Sequence, residues 1–288
     1  MSDHREPPMT LATTGMQRPA TRGRPAVATR ATWARFLVGF FILWAALAGA
    51  SSTDPTARWG PAILAVVVAA SLGVSRGLYR LPLHDAVRTL GLGRPEWRSL
   101  AVSAAISALV LLVWPATTLL SGTSIPLRPD WPVVLIGILT LHGLAEELVW
   151  RGYVFRRLAH GRSFWPAVCR SMPLIAVTHI PIVVVSGPAI GVGAMLVAAV
   201  TSIALSRLYT MGGGNLWAPG LLHAAIDSFK LVVLPAASVP IYPYLIIGFS
   251  LVVPLLVLLV PAPHAGPGPV PTPARSAPEP QRSAPGLR

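Results

Sequence analysis

The chain has 288 residues, of which 53% are apolar and only 11% charged, with a formal net charge of +13. Ordinary soluble domains carry about 25% charged residues, so a water-facing surface cannot be built here, and the mean hydropathy of +0.62 agrees. The excess arginines are scattered between apolar stretches rather than gathered in one module, which excludes nucleic acid as the partner.

In chain order, residues 1–32 form a basic tail (Arg5, Arg18, Arg22, Arg24 and Arg30) expected to be disordered and cytoplasmic. It has no apolar core of the kind a cleavable signal peptide needs. Eight apolar stretches follow, at about 33–50, 59–74, 100–120, 131–156, 171–186, 189–208, 216–234 and 242–260. Each approaches the roughly 20 residues that cross a bilayer. Backbone groups in lipid must be satisfied within their own segment, and no period-two alternation marks a barrel. The expected fold is therefore all-α: a polytopic membrane bundle of about eight transmembrane helices over 33–260. Pro173 and Pro181 make the fifth stretch the most interrupted. Residues 261–288, rich in Pro, Ala, Ser and Gly, are expected to form a second disordered tail. The single cysteine, Cys169, allows no internal disulfide.

Arginine placement predicts orientation. The loop 75–99 holds Arg76, Arg80, Arg88, Arg94 and Arg98, and Arg156, Arg157, Arg162 and Arg170 follow the fourth stretch. The loops 51–58 and 121–130 hold only Arg58 and Arg128, each with an aspartate nearby in sequence (Asp54, Asp130). Basic loops stay on the cytoplasmic side, so both termini are expected there.

Ionisable groups inside a bilayer are costly and usually functional. Within the stretches they are His142, Glu146, Glu147 and Arg151 on the fourth, His179 on the fifth, and His223, Asp227 and Lys230 on the seventh. At 1.5 Å per residue, Glu146 and His179 both lie ~13 Å from the inner edge and His223 ~10 Å. Groups from three helices at one level can offset each other's desolvation only by sharing a polar pocket. Glu147 and Arg151 are four apart and are expected to pair as structural support. Glu146, rotated about 100° from Glu147 on an α-helix, is left facing the pocket as a general base, unless it only hydrogen-bonds His142. His223 and Asp227 share a helix face and could either hold a developing oxyanion or ligate a metal. Lys230 is expected to snorkel toward the outer interface.

At these residues the chain resembles the CAAX-protease and bacteriocin-processing family of intramembrane proteases, also called the abortive-infection family. Its Glu-Glu-x-x-x-Arg motif appears as Glu146, Glu147 and Arg151, followed by Gly152-Tyr153-Val154-Phe155. A second motif appears as Ile175-Ala176-Val177-Thr178-His179, and a third, His-x-x-x-Asn/Asp, as His223 to Asp227, preceded by Gly214-Asn215-Leu216-Trp217-Ala218-Pro219. The resemblance covers about residues 95–235. It implies an eight-helix bundle with endopeptidase activity, in which Glu146 and His179 activate water while His223 and Asp227 steady the tetrahedral intermediate. Ile175 replaces the usual phenylalanine, and Asp227 stands where Asn is common. A carboxylate is a poorer oxyanion donor than an amide and a better metal ligand.

The cofactor is left open between a divalent metal such as zinc on Glu146, His179, His223 and Asp227, and a metal-free glutamate mechanism. The preference for Arg and Ala over Lys suggests a bacterial plasma membrane protein, with a membrane-embedded or membrane-associated peptide as substrate. The alternatives are a scaffold or immunity protein that keeps the fold without the chemistry, and a transporter whose buried ionisable groups carry protons.

Overall fold

The computed structural model describes residues 30–261; the two expected tails fall almost wholly outside the described residues. The described chain is helical, with one isolated bridge between Leu127 and Val232. Among the described residues, seven helices are long and apolar enough to cross a membrane. They are α1 (Arg30–Ser51), α2 (Gly60–Gly77), α4 (Trp97–Ser121), α5 (Trp131–Ala159), α6 (Phe164–Ser186), α7 (Pro188–Met211) and α9 (Tyr242–Leu259). Two shorter helices complete the set, α3 (Leu83–Arg88) on the basic loop and α8 (Trp217–Ile226).

The outer faces of the long helices are apolar. Phe41, Val66, Leu119, Val184 and Val185 are all exposed, as required where lipid rather than water is the solvent. Inside, small polar residues let the helices approach closely. Ser103 on α4 donates to the Ala218 carbonyl on α8 at 2.5 Å. Gly143 on α5 and Gly220 on α8 press backbone to backbone, so that a Cβ at Gly143 would stand 2.7 Å from the Gly220 carbonyl oxygen. That contact fixes α8 against α5 beside the ionisable residues.

The helix expected at 216–234 is shorter than anticipated, because α8 ends at Ile226 and passes into a 3-10 turn, Asp227–Leu231. It still links the two ends of the bundle. Asn215 donates to the carbonyls of Gly93 and Arg94 at 3.1 and 2.9 Å. At the far end the Arg128 amide donates to the Leu231 carbonyl at 2.9 Å, and Lys230 reaches the Pro55 carbonyl at 3.3 Å. Ten α residues at 1.5 Å and five 3-10 residues at 2.0 Å span ~25 Å, close to the thickness of a hydrocarbon core. The tighter, longer 3-10 rise lets a short segment connect the two loop layers.

Contacts gather the start of α1 and the end of α9 at one end of the bundle. The Tyr153 hydroxyl donates to the Phe36 carbonyl at 2.9 Å, Phe155 packs on Tyr209 at 6.0 Å, and Arg207 donates to the Val260 carbonyl at 3.0 Å. Arg157 lies over the rings of Tyr79 and Tyr153 at 4.1 and 3.8 Å, a cation–π anchor at the same end.

At the opposite end, Arg58 donates not to its sequence neighbour Asp54 but to Asp130, at 2.7 Å, across the mouth of α2 and α5. Arg128 adds a second bond to Asp130 at 3.1 Å. Hydrogen bonds from Arg128 and Arg58 hold the Asp130 carboxyl down at about 2, against 3.8 ordinarily. Because the folded-state value is depressed, this brace contributes fully above pH ~4 and is lost as pH falls toward ~2. Wild type and Asp130→Asn should therefore differ by the same small amount in thermal midpoint at pH 5 and pH 8. The difference should shrink only in strong acid.

Candidate functional site

The site is built mainly from two elements, the middle of α5 and the end of α8. Through Leu139–Glu146 and Leu148–Phe155, α5 is π-helical. Such i→i+5 geometry is rare and is found mostly at functional sites. More residues per turn than an α-helix means a smaller angle between neighbours, so Glu146 and Glu147 point more nearly the same way. Glu147 pairs with Arg151 as expected, and it also contacts His223, which the four-residue spacing does not by itself predict. Both carboxylates reach His223.

Glu147 is fully buried and Arg151 nearly so. Arg151 Nη1 donates to Glu147 Oε1 at 2.7 Å, as the spacing predicts. The same Oε1 lies 2.7 Å from His223 Nδ1. Since an ionised carboxylate only accepts, Nδ1 carries the proton, and Glu147 sets the tautomer and orientation of His223. This link was not legible in the sequence, because it depends on the register of α8 against α5.

His223 Nε2 then faces the other two carboxylates. It lies 3.7 Å from Glu146 Oε2 and 3.4 Å from Asp227 Oδ2. Glu146 Oε1 accepts from His142 Nδ1 at 2.7 Å, so the bond to His142 is made, and Glu146 keeps its Oε2 toward His223 as well. His142 Nδ1 is also 3.5 Å from Asp227 Oδ2. The side chains of Glu146, His142, His223 and Asp227 each keep some exposure, whereas Glu147 has none. The polar cluster is thus accessible on one side and closed behind by the Glu147–Arg151 pair. Glu146 sits near the middle of α5, in keeping with a site at membrane depth.

His179 is placed differently from the other site residues. It sits where α6 breaks, between Phe164–Val177 and Ile180–Ser186, with Pro181 in the first turn of the second part. Its Nδ1 donates to the Ile175 carbonyl at 2.9 Å, which leaves Nε2 as the acceptor. It lies within Coulombic range of Glu146, but no hydrogen bond or ion pair joins it to the cluster among the described residues. Lys230 stays at the far end on the Pro55 carbonyl, as snorkelling predicts.

Among the described residues no three His, Cys, Asp or Glu side chains are arranged to hold an ion. His142 and His223 use Nδ1 on carboxylates and His179 uses Nδ1 on a carbonyl, so the Nε2 nitrogens are the ones left open. As they stand, these side chains do not form a metal cluster among the described residues.

Residues 128–229 match the family model described as type II CAAX prenyl endopeptidase Rce1-like. The match covers all of Glu146, Glu147, Arg151, His179, His223 and Asp227, and agrees with the resemblance drawn from their motifs. No curated protein and no solved structure matches the chain. The helical fold and the matched domain together support a multi-pass membrane protein with a protease-type function.

Proposed function

We propose that this chain with an Rce1-like domain is an intramembrane endopeptidase that hydrolyses a peptide bond by metal-free, glutamate-activated water. The observation that carries the reading is one imidazole, His223, held at Nδ1 by Glu147 and facing both Glu146 and Asp227 with Nε2. The 3.7 Å between Glu146 Oε2 and His223 Nε2 is too long for a direct hydrogen bond and suits a bridging water.

In this reading Glu146 takes a proton from that water as its oxygen bonds the scissile carbonyl carbon. The carbonyl π electrons move to oxygen. Protonated His223, oriented by Glu147, donates from Nε2 to the oxyanion. Collapse restores the carbonyl and breaks the C–N bond, and Glu146 returns its proton to the leaving amine. His179 Nε2 offers a second acceptor that orients the water. Asp227 cannot donate as a carboxylate, so its role is to align His223 rather than to touch the oxyanion. In the same reading the α1 start and α9 end lie in the cytoplasm, an orientation that the basic loops 75–99 and 156–170 support, and the substrate is a membrane-embedded or membrane-associated peptide.

The test is cleavage by purified protein in lipid vesicles, using a library of internally quenched peptides that carry an apolar stretch. Wild type should release products, and His223→Ala should not. Chelators should leave the rate unchanged. A rate lost on chelation and restored by zinc would overturn the metal-free mechanism.

A further inference from the structure

His142 belongs to none of the three motifs, yet it makes the shortest contact to Glu146. Its Nδ1 lies 2.7 Å from Glu146 Oε1 and 3.5 Å from Asp227 Oδ2. On the other side, His223 Nε2 lies 3.7 Å from Glu146 Oε2 and 3.4 Å from that same Asp227 Oδ2. Two carboxylates are therefore linked twice, through two imidazoles whose ring centroids are 6.4 Å apart. The other nitrogen of His142, Nε2, is buried and meets no protein partner, so the ring's hydrogen bonding is concentrated on the carboxylates.

Such a ring answers a specific difficulty. Like charges in a poorly solvated site repel strongly, and two carboxylates sharing one site do so most. An Asn at 227 would bring no second charge. Asp227 does. His223 cannot settle the conflict by itself, because its Nδ1 is committed to Glu147 and its Nε2 is the nitrogen that the proposed mechanism turns to the oxyanion. His142 stands between them with a donor. The close approach of Gly143 to Gly220 brings its helix near enough to α8 for the reach.

We propose that His142 is a positioning residue that bridges Glu146 and Asp227, and that its presence is what allows a carboxylate to stand at position 227. The inference rests on the proposed role of Glu146, and its test has a readout that does not require cleavage.

The experiment is a double-mutant cycle on the full chain in lipid vesicles: wild type, His142→Leu, Asp227→Asn and the pair. Two quantities are read, the thermal unfolding midpoint and the turnover of the internally quenched peptides. In the wild-type background His142→Leu should lower kcat ~fivefold or more with KM unchanged, and should lower the midpoint. In the Asp227→Asn background both losses should shrink, kcat to within ~twofold. His142→Gln, which keeps a donor, should retain more activity than His142→Leu. Equal losses in the two backgrounds, in both readouts, would overturn the bridge. If wild type cleaves none of the peptides, the proteolytic reading fails by itself. The midpoint cycle then decides the bridge, coupled losses supporting it and additive ones refuting it.

Discussion

Arg151→Ala should destabilise the protein by ~3–5 kcal/mol, the loss typical when one partner of a buried ion pair is removed. The size follows from burial. Glu147 has no exposed side-chain surface and Arg151 only 2%. Without the guanidinium, the Glu147 carboxylate is left in an apolar surround with only the His223 imidazole against it. Replacing both members by apolar residues of similar size, as in Glu147→Leu with Arg151→Met, should recover most of the stability, since neither charge then needs compensation. The double variant should still be inactive, because the contact that orients His223 is gone. Unfolding in graded denaturant, together with peptide turnover, checks both parts. Recovered stability with recovered turnover would show that Glu147 acts only through Arg151.

The second large effect is on rate. Glu146→Gln should reduce cleavage by ~10²–10⁴-fold, the range for loss of a general base, while leaving the thermal midpoint near that of wild type. Glutamine keeps the shape, and its amide oxygen can still accept from His142, so the bond that positions residue 146 survives. Only the capacity to take a proton is lost. By the same reasoning Glu147→Gln should cost stability first, as its carboxylate accepts from both Arg151 and His223. Neighbouring glutamates of the same chemical type should thus give opposite phenotypes.

Much of this arrangement was legible in the sequence, for physical reasons. Apolar runs of bilayer length can only be helices in lipid, and seven of the eight expected stretches form long apolar helices. Glu147 with Arg151 was readable because four-residue spacing places side chains on one face whether the helix is α or slightly wider. The meeting of Glu146 with His223 followed from their shared depth. What was hidden depends on geometry that spacing does not encode. The π-helical winding of α5 turns Glu147 toward His223. The 3-10 ending of α8 lets a stretch expected to be a full helix reach the opposite loops in fewer residues. Shared depth likewise does not encode how the His179 ring turns, with Nδ1 bonded to its own helix. The partner of Arg58 was equally unreadable, since Asp130 lies 72 positions away and comes near only once α2 and α5 pack.

The most direct test of the central claim is hydrolysis in oxygen-18 water by wild type and Glu146→Gln, each in lipid vesicles, with products read by mass spectrometry. Wild type should yield shortened peptides whose new carboxyl end carries one heavy oxygen, and Glu146→Gln should yield essentially none. Equal labelled product from both proteins would contradict the account, and so would the absence of any product from wild type.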